Sequence, residues 1–383
     1  MAYLFWLSVV LIIYIYAGYP VMLLCLAAVI RRKTKTADSV ACLPAVTMII
    51  AAHNEEQVIS LKLENCLSLD YPREKLELIV VSDKSTDRTE EIVAQYSKEK
   101  LQLLRTEARL GKTAAQNAAV RQATGKILVF SDANAIWEKS ALKRLVLPFA
   151  DPGIGYACGQ LKYVNTRDGV VGYSEGLYWR YEILMRKLES LTGSITAGNG
   201  AIYAVRAADY HYFANDESHD FEFPRYINAK SQRAIYIEAA VAYEKTGSTT
   251  GDEFKRKTRM MARVWGSLFK HPGALSPFRH GIIYAWKFIS HRLLRYLAVI
   301  PLLAAFAASI VLFTTALIYQ LLLSAQIGFY SLALIGAVFK FRSKLVYIPY
   351  YFCLFNLSSI VGMVKSLCGS TPAHWEKAGS TRT

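Results

Sequence analysis

Charge is missing from residues 1–30 of this 383-residue chain, and again from the 44 residues 296–339. Runs that long without an ionisable group suit a bilayer. At ~1.5 Å per residue the first can cross a ~30 Å hydrocarbon core once and the second twice, as a hairpin of two helices. A cleaved signal sequence fits the first run poorly, because it would carry a basic leading region and a shorter apolar core of ~7–15 residues. Paired cysteines are also missing. Cys25, Cys42, Cys66, Cys158, Cys353 and Cys368 are scattered, with no CxxC or metal-ligand spacing, and read as buried thiols in a reducing compartment. No GxGxxG or P-loop pattern follows any strand-like run, which disfavours dinucleotide and Walker-type sites. Acidic residues are scarce, with 30 Asp and Glu against 45 Lys and Arg and a net charge of +15. No nucleic-acid-binding module accompanies that charge, so it suits a protein lying against an anionic bilayer and handling phosphorylated substrates, not a nucleic-acid partner. With 53% hydrophobic and 20% charged residues, disorder is excluded.

What is present organises the chain. Arg31, Arg32, Lys33 and Lys35 close the first apolar run, which reads as a membrane helix at 1–30 with a basic cytosolic flank. After Lys340, Arg342 and Lys344 a further uncharged stretch covers 345–364. Pro349 and Asn356 interrupt it, leaving a span, a re-entrant segment or an interfacial one open, so the region 293–367 holds two to three spans before a tail at 368–383. Residues 278–292 interleave Arg279, Lys287, His291 and Arg292 with Phe278, Tyr284, Trp286 and Phe288, the composition of a helix at a headgroup surface or of an ordinary surface helix. This leaves 36–277 as the one non-membrane domain. The positive-inside bias places it in the cytosol.

Within that domain, VTMIIAA at 46–52 is an apolar, β-branched run followed by the polar His53, Asn54, Glu55 and Glu56 and then a helix-forming stretch. LIVV at 78–81 ends in Ser82 and Asp83, before a segment with Thr89, Ile92, Val93 and Tyr96 on one helical face. ILVF at 127–130 ends in Ser131 and Asp132, before Leu142, Leu145, Val146 and Phe149. Three strand–loop–helix units imply an α/β fold with a mostly parallel sheet. Ligands bind such sheets beyond the carboxyl ends of the strands. The polar 53–55 segment, Asp83 and Asp132 all fall at that edge, although each acid alone could be a turn or cap residue.

The motifs AAHNEE (51–56), VVSDKSTD (80–87), Gly111-Lys112 with Gln116-Asn117, FSDAN (130–134), GNGA (198–201) and Ser218-His219-Asp220 occur in this order. Together they resemble the membrane-bound branch of glycosyltransferase family 2, which includes cellulose, chitin and hyaluronan synthases. The resemblance implies a Rossmann-like GT-A domain flanked by membrane helices, binding a nucleotide sugar, usually a UDP-sugar, and transferring the sugar with inversion. By position it implies Ala52, Glu55 and Asp83 at the uridine and Lys112 near the nucleotide. Asp132, with Asn134 as the weaker partner in Asp-x-Asn, would hold Mg²⁺ or Mn²⁺. A leaving nucleoside diphosphate gathers negative charge that such a cation neutralises through hard oxygen ligands.

Asp220 matches the family's catalytic acid, the base that takes the acceptor hydroxyl's proton; on the residues alone Asp216 and Glu217 are alternatives. Gly198, Asn199 and Gly200 would admit the acceptor sugar. Processive members carry Gln-x-x-Arg-Trp where this chain has Met260, Arg263 and, one residue late, Trp265. Trp265 would then touch the acceptor, and Arg256, Arg259 and Arg263 would grip the diphosphate or else lie against headgroups. The implied activity is transfer to a growing polysaccharide or lipid-linked acceptor at the cell membrane. The alternatives are single-sugar transfer to a lipid carrier, a catalytically dead nucleotide-sugar sensor, and a transporter. The last is disfavoured by the few spans and the lack of ionisable residues within them.

Overall fold

The computed structural model describes residues 1–32, 43–96, 100–164, 170–245, 250–339 and 343–369, with the backbone alone for 170–177, 250 and 252. Lys33, Lys35, Cys42, Lys340, Arg342 and most of the tail therefore lie outside the described residues. An eight-stranded sheet forms the centre, with β1 Val46–Ala52, β2 Leu76–Ser82, β3 Leu101–Arg105, β4 Ile127–Asp132, β5 Ile136–Trp137, β6 Ile154–Tyr163, β7 Ile202–Arg206 and β8 Arg233–Glu244. Its order is β3-β2-β1-β4-β7-β6-β8-β5. The first four are parallel neighbours, as the three strand–helix units predict. Beyond β4 the sheet becomes mixed, because β7 runs antiparallel to both β4 and β6.

β1 is buried along its whole length. Its side chains alternate, so Val46, Met48, Ile50 and Ala52 enter one core layer and Ile49 and Ala51 the other. The helix Ile59–Leu67 turns Ile59, Leu63 and Cys66 into the first layer. The helix Lys112–Val120 turns Ala115 and Ala119 into the second. Helices thus cover both faces of the sheet and leave its carboxyl edge open.

Among the described residues three helical stretches are long and apolar enough to cross a membrane: Ala2–Val29, Leu317–Phe339 and Lys344–Leu367. A fourth candidate is a pair, Ile282–Tyr296 and Val299–Val311, bent by 55°. The Lys344–Leu367 helix continues through Pro349, and the Asn356 amide donates back to Phe352 O within the same helix at 2.9 Å. It crosses the Thr250–Lys270 helix closely at Gly362, where a Cβ would come within 2.6 Å of Met261 Cβ.

The segment around 278–292 differs from the expectation of basic side chains on headgroups. Phe278 and Ile282 face outward, while Lys287, His291 and Arg292 are buried. Lys287 Nζ donates to Ser194 O at 2.8 Å and Glu189 O at 3.1 Å, and His291 Nδ1 lies 2.6 Å from Glu189 Oε1. The carboxylates that draw these cations inward, Glu182 and Glu189, stand on the Val170–Leu191 helix, about a hundred residues away in sequence.

Candidate active site

A cleft of about 380 Å³ opens at the carboxyl edge of the sheet, lined at one end by Ala51, Glu55, Lys112, Asp132 and Asn134. Strand register sets this end, because Ala51 pairs with Asp132 across β1 and β4. Lys112 begins its helix with its ammonium on Asp132 Oδ1 and donates also to Gly200 O at 3.3 Å. Lys112, Asp132 and the Gly198–Asn199–Gly200 turn, separate in sequence, are one cluster in space.

Asp83, implied at the uridine, has a structural task in the chain. Its carboxylate is buried and accepts Leu110 N–H at 2.8 Å and Gly111 N–H at 2.9 Å, so it fastens the loop that delivers Lys112. Neither Asp83 nor Ala52 lines the cleft; Ala52 O accepts the Asp83 N–H at 2.8 Å. Glu55 is buried, lines the cleft, and takes Thr89 Oγ1 on its backbone N–H at 2.7 Å.

The residues that could hold a cation are Asp132, Asn134 and, from the exit of β8, Glu244. The Asn134 amide donates to Glu244 Oε1 at 2.5 Å, and all three line the cleft. Among the described residues no trio of His, Cys, Asp and Glu is gathered. Two carboxylates and an amide oxygen still fit a hard divalent ion that completes its shell with phosphate oxygens and water. Behind this loop the fully buried Lys62 donates to Ala135 O at 2.6 Å and lies over the Trp137 ring at 5.1 Å. Burial pushes its ammonium below the usual lysine range.

The acidic loop sorts itself by direction. Asp220, in the first turn of the His219–Ala229 helix, lines the cleft and accepts a hydrogen bond from Ser218 Oγ. Asp216 pairs with Lys270, while the buried Glu217 takes His271 Nε2 at 2.6 Å and Ala214 N–H at 2.9 Å. Neither Asp216 nor Glu217 lines the cleft. Gly198 donates its N–H to Asp220 O at 2.7 Å, and a Cβ there would stand 2.0 Å from Tyr156 Oη, so only glycine fits. Asn199 is a knot within the turn, donating to Gly159 O at 2.8 Å and accepting Ile202 N–H at 3.0 Å.

Arg256, Arg259 and Arg263 of the Thr250–Lys270 helix all line the cleft. Arg256 is held by Glu253 at 2.8 Å. Burial lowers the Arg263 guanidinium from its ordinary range against the pull of Asp220 and Asp216. Trp265 is a correction: it is buried away from the cleft, stacked on Phe269 and packed with Tyr296 in the apolar cluster between this helix and the Lys344–Leu367 helix. One residue along a helix turns a side chain by about 100°, which carries Trp265 off the cleft face.

The far end of the cleft was not foreseen from sequence. Tyr178, Trp179, Glu182 and Arg186 of the Val170–Leu191 helix line it with Arg292, Tyr296 and Phe355. Burial raises the Glu182 carboxyl, but Arg292, Arg295 and His291 outweigh it and hold the group well below the usual carboxylate range. The Tyr-Trp-Arg-Tyr-Glu run at 178–182 was a visible signal, since charged residues alternate there with large aromatics.

Residues 47–211 match the family model described as "Glycosyl transferase family 2". The chain is 35% identical over 143 residues to the "Probable glycosyltransferase YdaM" of Bacillus subtilis, covering 36% of this chain and 34% of that protein. It is 33% identical over 172 residues to the "Beta-monoglucosyldiacylglycerol synthase" of a Synechocystis species, covering 43% and 36%. The chain thus spans about a third of the length of these curated relatives. A solved mannosyltransferase, PcManGT of Pyrobaculum calidifontis in complex with GDP-Man and Mn²⁺, superimposes with a TM-score of 0.72 at 25% identity, covering 95% of this chain and 99% of that one. Residues 47–211 are thus a glycosyltransferase family 2 domain, and the sheet order and this shared architecture give the chain a GT-A fold.

Proposed function

We propose that the chain is a membrane-embedded inverting glycosyltransferase that moves a single sugar from a nucleotide sugar onto a lipid-linked acceptor, with the domain at 36–277 facing the cytosol. The observation that carries this reading is that Asp220, alone of its acidic loop, shares one cleft with Asp132, Lys112 and the Gly198–Gly200 turn. Asp220 takes the proton from the acceptor hydroxyl as the new bond forms. Lys112 sets positive charge beside the donor's phosphates, and the Gly198–Asn199–Gly200 turn borders the cleft that receives the acceptor. Asp132 and Asn134 would hold a divalent cation, which when bound neutralises the charge gathering on the nucleoside diphosphate.

Buried Trp265 and the missing Gln-x-x-Arg-Trp favour single transfer over polymer synthesis. The lipid synthase named among the relatives supports a lipid acceptor, and the GDP-mannose and Mn²⁺ on the Pyrobaculum protein support a nucleotide-sugar donor and a metal. Because Asp83 is engaged with the 110–111 backbone, the base is open between uracil and guanine. Membranes incubated with a panel of radiolabelled UDP- and GDP-sugars should transfer label from one donor to lipid extract, in a product one sugar larger than its acceptor. A chain that consumes no donor would be a sensor, and a ladder of products would mean a polymerase.

A further inference from the structure

Among the described residues Arg186 is a charge without a hydrogen-bonded partner. Its side chain is 6% exposed, its guanidinium lies over the Trp179 ring at 4.7 Å, and its nearest carboxylate oxygen, Glu182 Oε2, is 4.0 Å away, beyond hydrogen-bond reach. Among the described residues its Nε has no acceptor. Glu182 is shared with two other guanidinium groups, Arg295 Nη1 at 2.5 Å and Arg292 Nη1 at 3.4 Å. Arg292 is equally buried, and its Nη2 also has no acceptor. Three guanidinium groups therefore crowd one carboxylate, and two of them line the cleft. Native structures rarely leave buried donors unmet, and an uncompensated buried charge is among the costliest features a fold can carry.

The missing charge is of a definite kind. A phosphate ester carries about −1.5 to −2 at neutral pH and offers several acceptor oxygens, which planar guanidinium forks bind in pairs. Its place is on the acceptor side. Arg186 lines the same cleft as Asp220 and the Gly198–Asn199–Gly200 turn. The walls beyond Arg186 belong to Arg292, Tyr296 and Phe355, on segments apolar enough to enter a bilayer.

We infer that Arg186 and Arg292 form a phosphate subsite for the acceptor, anchoring a lipid phosphate ester at the membrane end of the cleft while the acceptor's hydroxyl faces Asp220. This rests on the transferase reading and names its acceptor class.

The full chain in neutral detergent tests it by titration with decyl phosphate, decanol, inorganic phosphate, UDP and GDP, followed by tryptophan fluorescence, to which the stacked Trp179 contributes. Decyl phosphate should bind at least tenfold more tightly than decanol or inorganic phosphate. Arg186→Gln should remove most of that preference and leave UDP or GDP affinity within about twofold, with Arg186→Lys in between. Equal binding of decyl phosphate and decanol would overturn the subsite, and this comparison needs only the wild-type chain should a variant fail to fold. Inorganic phosphate binding as tightly as decyl phosphate would overturn the lipid assignment. Arg186→Gln weakening UDP or GDP as much as decyl phosphate would give the guanidinium to the donor's diphosphate. Binding of decyl phosphate without binding of either nucleotide would sink the transferase reading and leave the subsite standing.

Discussion

Replacing Asp220 with Asn separates catalysis from structure, because the surroundings divide the two. The Gly198 N–H is held by the backbone carbonyl of residue 220, which the substitution does not touch, and an amide can still accept from Ser218 Oγ. What is lost is basicity, worth ~10²–10⁴ in rate or about 3–5 kcal/mol of barrier, and one negative charge in a first helical turn, worth only about 0.3–1 kcal/mol of stability. Turnover should therefore fall at least a hundredfold, with UDP or GDP affinity within a few-fold of wild type and the thermal midpoint nearly unmoved. Glu217→Gln should do the reverse. It disturbs a buried carboxylate that takes His271 at 2.6 Å, a charge-assisted bond worth about 1.5–3 kcal/mol, so stability drops while turnover persists. Single-turnover transfer with the donor identified by the nucleotide-sugar panel, beside thermal unfolding in detergent, reads both. If Asp220→Asn kept near-normal turnover and Glu217→Gln or Asp216→Asn lost it, the cleft geometry would have been misread. Loss in none of the three would undo the inverting mechanism.

Asp132→Ala should abolish the gain in nucleotide affinity produced by Mn²⁺, measured by titration with and without chelator; undiminished wild-type turnover in excess chelator would remove the metal. His219 is fully buried among Tyr203, Tyr210 and Phe223, and burial, aided by Lys112, lowers its imidazole to about 3. The unfolded chain therefore takes up this proton first, so stability is whole above the ordinary histidine range and falls by up to about 1.4 kcal/mol per pH unit from ~6.5 down towards 3. Unfolding midpoints of His219→Gln should depend less steeply on pH over that window, and parallel curves would refute the assignment. A cysteine placed at exposed Glu91, with exposed Cys25 and Cys368 replaced, should resist an impermeant thiol reagent in intact cells, and ready labelling would reverse the proposed topology.

The parallel half of the sheet was legible because its signals are local. β-branched runs, polar exits and helical spacing each sit within about twenty residues, and strand register then carries Ala51 to Asp132 without further information. On the residues alone the acidic loop was legible only as a set of three, from which the family resemblance picked Asp220. Choosing among Asp216, Glu217 and Asp220 by their contacts needed Lys270 and His271, which lie 54 residues from their partners. The same limit misplaced Trp265 and the basic 278–292 segment. Composition shows that Lys287, His291 and Arg292 are basic but not that Glu182 and Glu189 await them, and a basic group with a buried partner faces inward where one without it would face headgroups.

Those carboxylates also explain how a cleft can be fixed relative to a bilayer. Glu189 accepts from Tyr19 Oη on the first apolar helix at 2.9 Å and from the Thr196 backbone at 2.8 Å, and it holds His291 on the first arm of the bent pair. Burial raises its carboxyl, but His291 foremost, with Arg292 and Lys287, brings it down to about 2, so it stays charged across any physiological pH. One ionised group therefore ties two membrane-type segments to the short stretch that leads into the Gly198–Gly200 turn. Glu182, two helical turns earlier, does the same for Arg292 and Arg295 at the wall of the cleft. A helix that carries both carboxylates makes the position of the acceptor turn depend on where the apolar helices sit, which is what an enzyme needs if one substrate arrives from water and the other from lipid.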